Sequence, residues 1–224
     1  MNGDATPDDR EIAHRRGFGP TGILASLLVL GGLFLGPLKG FPVLLWAQWS
    51  RTPWRDLGLV RPASWARTAI AGIVFGVAFK FAMKAIVMPL LGAAPVNATY
   101  SYVTGNLGAM LYMLLLVTVG AGFGEELIFR GFLFERLTKL FGTSAGAKVA
   151  IVLATATFFG VLHYPEQGIA GAEQALIVGL TYGTIFAVTG RIWMLVFAHA
   201  AFDVTAVLMI YWNLETGIAH WIFK

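Results

Sequence analysis

Long apolar runs, separated by short polar connections, dominate this sequence and restrict what it can fold into. Of its 224 residues, 57% are hydrophobic and only 12% are charged, whereas a soluble domain carries about 25% charged residues. A helix that spans a membrane needs about 20 consecutive, mostly apolar residues. The sequence therefore predicts an all-α, polytopic membrane helix bundle rather than one or two soluble domains.

Six apolar segments are candidates for membrane-spanning helices. Pro37 and Pro42 interrupt the first one, and we expect them to kink it or to divide it into a span and a re-entrant piece. The bundle should then contain about six to seven transmembrane helices. An amphipathic helix is predicted directly after the third segment, in "EELIFRGFLFERLTKLFG", and Gly142 is expected to end it. The six segments are residues 21–49, 69–91, 107–123, 147–163, 175–189 and 192–211, with loops between them.

Lysine and arginine residues alternate between the connections, as the positive-inside rule requires. The loops after the first and third segments are basic, whereas those after the second and fourth contain no lysine or arginine. We therefore expect the basic side to be cytoplasmic. Six spans would place the N-terminus outside, although Arg10, Arg15 and Arg16 favour the inside. A divided first segment would remove this conflict.

Several ionisable side chains lie at or within the later segments. A charged residue at the centre of a bilayer costs about 2.5–3.5 kcal/mol on insertion scales, so such residues are candidates for function. Glu126 and Arg130 are spaced i,i+4 and are expected to pair, as are His199 and Asp203. Glu125 is rotated by about 100° from Glu126 and can point elsewhere. The candidate site residues are Glu125, Glu126, Arg130, His163, His199 and Asp203.

Each candidate also has a structural interpretation. An interfacial ion pair would explain Glu126 and Arg130, and hydrogen bonding between helices would explain His199. The convergence of these groups from three segments favours a functional site. Two lysines of the second segment, Lys80 and Lys84, either line a cavity or snorkel. A sharper hypothesis is that the positive charge of Lys80 balances the negative charge of Asp203 or of a glutamate in the cavity.

Three short motifs occur in a fixed order: "EELIFR" fits EExxxR, "FGVLH" fits FxxxH and "HAAFD" fits HxxxD. With these motifs the sequence resembles the CPBP family of intramembrane proteases. That family includes CAAX prenyl proteases of the Rce1 type and bacterial homologues linked to bacteriocin processing and self-immunity. The resemblance covers residues 107–211 and implies peptide-bond hydrolysis within the membrane. We expect the chain to divide into a polar tail, an apolar segment with a basic loop, a protease core and a C-terminal tail, at residues 1–20, 21–68, 69–213 and 214–224.

The resemblance also implies a role for each motif residue. Glu125 and His163 would position and deprotonate a water, His199 would stabilise the oxyanion, and Arg130 would fix Glu126. Many relatives have asparagine where this chain has aspartate, so Asp203 would orient His199, stay protonated or bind a metal. Zn²⁺ held by a glutamate and two histidines is one scheme, and a metal-free glutamate mechanism is the other. The zinc ligands would be Glu125, His163 and His199.

The expected partners are membrane lipids and a membrane-associated protein or peptide substrate. The sequence contains no run of lysine or arginine residues that would indicate nucleic-acid binding. The chain is short and contains no cysteine, which is more typical of the bacterial or archaeal branch and predicts the plasma membrane of such a cell. The alternatives are a non-catalytic scaffold or bacteriocin-immunity protein, and an ion- or proton-coupled transporter.

Overall fold

The computed structural model describes residues 16–223, and all regular structure within this range is helical. The predicted polar tail therefore lies largely outside the described residues. Four of the helices are long and apolar enough to span a membrane, namely α3, α4, α5 and α6. The predicted all-α membrane bundle is confirmed, whereas the count of six to seven spans is not. The helices are α1 (Pro20–Gly31), α2 (Phe41–Ser50), α3 (Trp65–Leu90), α4 (Leu107–Phe141), α5 (Ala145–Thr189), α6 (Trp193–Tyr211) and α7 (Glu215–Ala219).

The first apolar segment forms two short helices rather than one long one, as its prolines predicted. Helix α1 has 12 residues and α2 has 10, and short 3₁₀ turns at Gly32–Phe34 and Gly36–Leu38 connect them. The Nη1 atom of Arg16 donates a hydrogen bond of 2.7 Å to the carbonyl of Trp49, so the outer ends of the two helices lie side by side. We call residues 16–50 the N-terminal hairpin.

The third segment and the predicted amphipathic helix form one continuous helix, α4. The expected end at Phe123 is wrong, because α4 continues to Phe141, and the paired glutamates therefore lie inside the helix rather than at its edge. No proline interrupts α4, and Gly142 follows it with a φ of 85°. Its central part, Leu116–Glu125 and Leu127–Leu133, is π-helical, a geometry that is frequent at functional sites.

Helix α5 folds back on itself at Gly168. The loop expected at residues 164–174 is wrong, because these residues are helical except for Gly168, whose φ of 63° and ψ of −162° are essentially restricted to glycine. A Cβ atom added at Gly160 would lie 3.0 Å from the carbonyl oxygen of Ala172, and one at Gly179 would lie 2.9 Å from the Cα of Ala156. The two halves of α5 are therefore antiparallel and closely packed.

Glycines also allow the backbones of α3 and α4 to pack directly against α6. A Cβ atom at Gly76 would lie 2.1 Å from the carbonyl oxygen of Ala198, and one at Gly122 would lie 2.7 Å from the Cβ of Ala200. Small residues at helix contacts permit such close packing in membranes. The contacts enclose His199, which lies between the two alanines, in the centre of the bundle.

Candidate active site

Glu126 is the centre of a fully buried ionic cluster. Its Oε1 atom accepts hydrogen bonds from Nη1 of Arg130 at 2.8 Å and from Nδ1 of His199 at 2.7 Å. The Glu126 side chain is 0% exposed and that of Arg130 is 2% exposed. Arg130 also donates to the carbonyl of Gly179 at 3.4 Å. The predicted pair of Glu126 and Arg130 is therefore observed, and His199 joins it from α6.

Glu125 has an ion-pair partner that the motifs do not contain. The Nζ atom of Lys39, at the tip of the N-terminal hairpin, lies 2.5 Å from Oε1 of Glu125. The side chains of Lys39 and Glu125 are 24% and 8% exposed. Sequence reasoning missed this contact. The available signal was a single lysine within the apolar segment 21–49, since a cation at membrane depth is costly unless it is paired.

Backbone contacts hold the tip of the N-terminal hairpin against α4. A Cβ atom at Gly120 would lie 2.8 Å from the carbonyl oxygen of Gly36, and one at Gly124 would lie 2.9 Å from the backbone nitrogen of Gly40. Side chains larger than hydrogen at these two positions of α4 would push the tip away. The glycines therefore determine how closely Lys39 approaches the helix that carries the paired glutamates.

The two motif histidines approach from α5 and α6. Nδ1 of His163 lies 2.8 Å from the carbonyl oxygen of Phe159, so this nitrogen is the donor. The ring packs edge-on against Phe159 at 4.5 Å, as the spacing predicted. Nε2 of His199 lies 3.4 Å from Oδ2 of Asp203, so the second predicted i,i+4 pair is also observed.

A cavity of about 680 Å³ brings the motif residues together. Four of the six predicted site residues line it: Glu125, His163, His199 and Asp203. The other two, Glu126 and Arg130, are buried behind its wall, where they contact His199 and the neighbouring backbone. The sequence thus identified residues that meet in three dimensions, but they divide into a lining group and a supporting group.

Loop residues line one end of the cavity. The hydroxyl of Thr99 donates to the carbonyl of Glu166 at 3.0 Å, and Nε2 of Gln167 donates to the Tyr100 hydroxyl at 3.1 Å. Burial raises the pKa of Tyr100 to about 12, so its hydroxyl stays protonated at neutral pH. These contacts join the loop after α3 to the reversal in α5, which places both at the same end of the bundle.

Lys80 and Lys84 line the same cavity. Nζ of Lys84 lies 2.6 Å from Oε1 of Glu215, so Lys84 is paired inside the protein. Nζ of Lys80 donates to Oε1 of Gln174 at 3.2 Å. Within residues 16–223, Lys80 forms no ion pair. Any electrostatic attraction between Lys80 and Asp203 therefore acts over more than ion-pair distance.

The contacts of the histidines and glutamates bear on the zinc scheme. Among the described residues, no group of three or more His, Cys, Asp or Glu side chains is arranged to hold a metal ion. A zinc ligand must direct a free lone pair at the metal. Both ring nitrogens of His199 face carboxylates, so this histidine directs no free lone pair at a metal. Glu125, His163 and His199 in this arrangement do not fit a zinc ion.

Comparison with known families gives a match to part of the chain. Residues 107–205 match the model of the family described as type II CAAX prenyl endopeptidase Rce1-like. This segment is similar to the Rce1-like family. The match contains all three motifs, and it confirms the resemblance found in the sequence. No curated protein and no solved structure matches the chain. The chain is an integral membrane protein with an Rce1-like region, and Lys39 lies outside that region.

Proposed function

We propose that this protein is an intramembrane endopeptidase that hydrolyses a peptide bond of a membrane-associated protein or peptide. The observation that carries the proposal is the cavity in which Glu125, His163 and His199 converge from three helices. Such a cavity provides a base and an oxyanion donor at a depth where the bilayer itself offers neither. The Rce1-like match over residues 107–205 supports this class of reaction.

In the proposed mechanism, Glu125 accepts a proton from a water that lies between Glu125 and His163. Lys39 occupies Oε1 of Glu125, which leaves Oε2 for the water. His163 donates from Nδ1 to the Phe159 carbonyl, so its Nε2 can accept a hydrogen bond from the same water. The water oxygen attacks the scissile carbonyl carbon. Glu125 then returns the proton to the leaving amine nitrogen, and the products are a carboxylate and an amine.

His199 is the proposed oxyanion donor. Its Nδ1 is hydrogen-bonded to Glu126 and its Nε2 faces Asp203, so two carboxylates favour the imidazolium form of the ring. Nε2 lies 3.4 Å from Asp203, whereas Nδ1 lies 2.7 Å from Glu126. The N–H group at Nε2 is therefore bound less tightly than the one at Nδ1. A cation preorganised beside the carbonyl stabilises the negative charge that develops on its oxygen. Asp203 would orient this donor.

Variants in lipid vesicles test the proposal with a library of membrane-protein peptides. Glu125→Gln, His163→Ala and His199→Ala should each lose cleavage by about 100-fold or more, as expected for acid–base and oxyanion groups. Glu166→Gln is the matched control, because it also changes a cavity carboxylate to an amide but lies outside the motifs. Circular dichroism should show that all variants are folded. Undiminished cleavage by Glu125→Gln would exclude this mechanism.

We further propose that the water is activated without a metal ion. The engaged nitrogens of His199 and the ion pair of Glu125 support this choice. Elemental analysis of the purified protein and dialysis against a chelator test it. Full cleavage by metal-depleted protein is the expected result. Stoichiometric zinc, together with cleavage that is lost on chelation and restored by zinc, would establish the other scheme.

We propose five membrane crossings and one re-entrant hairpin. The crossings would be α3, α4, the two halves of α5, and α6. Six spans would require one further crossing by the first apolar segment, and seven would require α1 and α2 to cross separately. The two helices have only 12 and 10 residues, whereas a crossing needs roughly 20. A hairpin that enters and leaves on one side accounts for the contact between Arg16 and Trp49.

A further inference from the structure

We infer that Lys39 is a positioning residue that holds Glu125 in place as an ionised base, an inference that rests on the proposed function. A carboxylate in a protein interior is costly unless an opposite charge and hydrogen bonds accompany it, and otherwise it takes up a proton. A protonated Glu125 has no free charge with which to accept a proton from water. The ammonium of Lys39, 2.5 Å away, provides the opposite charge.

The contact also divides the two oxygens of Glu125 between two tasks. Oε1 is bound to Lys39, and no described residue donates a hydrogen bond to Oε2. Oε2 of Glu126 is a buried polar atom without a hydrogen-bond partner, but Oε2 of Glu125 is not one of these buried atoms. One oxygen of Glu125 is therefore anchored, and the other remains open to the cavity. An anchored carboxylate has fewer rotamers and presents its free oxygen in one direction.

Other charged groups face Glu125 but do not replace Lys39. His163 of α5 and His199 of α6 line the cavity beside Glu125, yet their hydrogen bonds go to the Phe159 carbonyl and to other carboxylates. Arg130 is bound to Glu126 on the far side of the wall. Within residues 16–223, Lys39 is the cation that contacts Glu125 directly.

The N-terminal hairpin is built in a way that brings a lysine to this depth. Its tip leaves the helical conformation, which is tolerated inside a membrane only where the backbone is buried in protein or lines a cavity. Gly36 has a φ of 56°, and Gly120 and Gly124 admit the tip to backbone contact with α4. The apolar hairpin thus adds a polar group to a site whose other members lie in residues 107–205.

Three variants test the inference through the pH dependence of cleavage. Lys39→Met should lower kcat at neutral pH by about tenfold or more, within the range of a general base, and leave KM nearly unchanged. The acidic limb of its pH–rate profile should shift to higher pH by about 1–3 units, because a carboxylate that loses a neighbouring positive charge takes up a proton more readily. Lys39→Arg should restore most of the lost kcat and return the acidic limb most of the way to its position in the parent. Lys84→Met is the matched control, because it breaks the other lysine–glutamate pair of the cavity and should leave the acidic limb in place.

Infrared spectroscopy of the same proteins separates this inference from the proposed function. The carbonyl band of protonated Glu125 is identified as the band that Glu125→Gln removes. It should appear at a higher pH in Lys39→Met than in the parent, whether or not a substrate has been found. An unchanged band and pH profile in Lys39→Met, or higher activity, would overturn the role of Lys39. Cleavage that survives Glu125→Gln would overturn the proposed function, while the infrared shift would still stand.

Discussion

The two adjacent glutamates of α4 have different partners and therefore different tasks. Glu126 binds Arg130 and His199 in full burial, whereas Glu125 meets Lys39 at the cavity wall. Spacing along the chain predicted the pair of Glu126 and Arg130, because i,i+4 contacts depend only on local helix geometry. Sequence could not predict that Lys39 reaches Glu125 from 86 residues away, because that contact depends on how the hairpin packs.

Removal of Arg130 should be strongly destabilising. Arg130→Met leaves the carboxylate of Glu126 buried with only His199 as a partner, and breaking a buried pair in this way costs about 3–5 kcal/mol. The double variant Glu126→Gln/Arg130→Met removes both charges and should recover part of that loss. Thermal unfolding in mixed micelles gives the comparison. Equal stability of Arg130→Met and the parent would show that the pair contributes little.

The hydroxyl of Tyr182 is buried and has no hydrogen-bond partner among the described residues. Its ring packs against Phe79 and His199, and a phenylalanine would keep both contacts. Because an unsatisfied buried polar group costs about 1–3 kcal/mol, Tyr182→Phe should raise the free energy of unfolding and leave cleavage unchanged. A loss of stability, measured by the same unfolding assay, would mean that a water or substrate satisfies this hydroxyl.

Among the helices, α4 shows what sequence patterns can and cannot locate. Gly142 was predicted to end it and does, because its φ of 85° is open to glycine but strained for other residues. The predicted end at Phe123 is wrong, because paired charges do not end a helix. Lys39, His199 and Arg130 of α4 itself bind the two glutamates, so the helix continues through the charged residues without exposing them.

The close contact between α4 and the N-terminal hairpin gives a prediction about glycine. Gly124→Ala would place a methyl group 2.9 Å from the backbone nitrogen of Gly40. We expect a loss of about 1–3 kcal/mol from overpacking, together with lower cleavage because Lys39 is displaced. Gly146→Ala is the control, since its added methyl meets nothing within 4 Å and alanine favours the helix by about 1 kcal/mol. Wild-type activity in Gly124→Ala would show that the hairpin tolerates displacement.

Charge is distributed unequally between the two ends of the whole molecule. Ile192 donates to the carbonyl of Gly58 at 3.1 Å, which brings the basic loop after α2 to the turn before α6. A second cavity at this end is lined by Lys139 and Lys148. Arg16 also lies here through its contact with Trp49, at the same end as the other basic loops. The loop after α3, whose residues line one end of the large cavity, lies at the opposite end of the bundle.

This arrangement predicts that the cavity opens away from the cytoplasm, because basic connections stay on the cytoplasmic side. The chain contains no cysteine, so a single introduced cysteine reports its own position. Ala98 is exposed at the loop end of the cavity and Thr143 is exposed at the basic end. A membrane-impermeant maleimide should label Ala98→Cys in intact bacterial cells, and Thr143→Cys only after the cells are permeabilised. The reverse pattern would direct the cavity to the cytoplasm, and its substrates would then have to approach from that side.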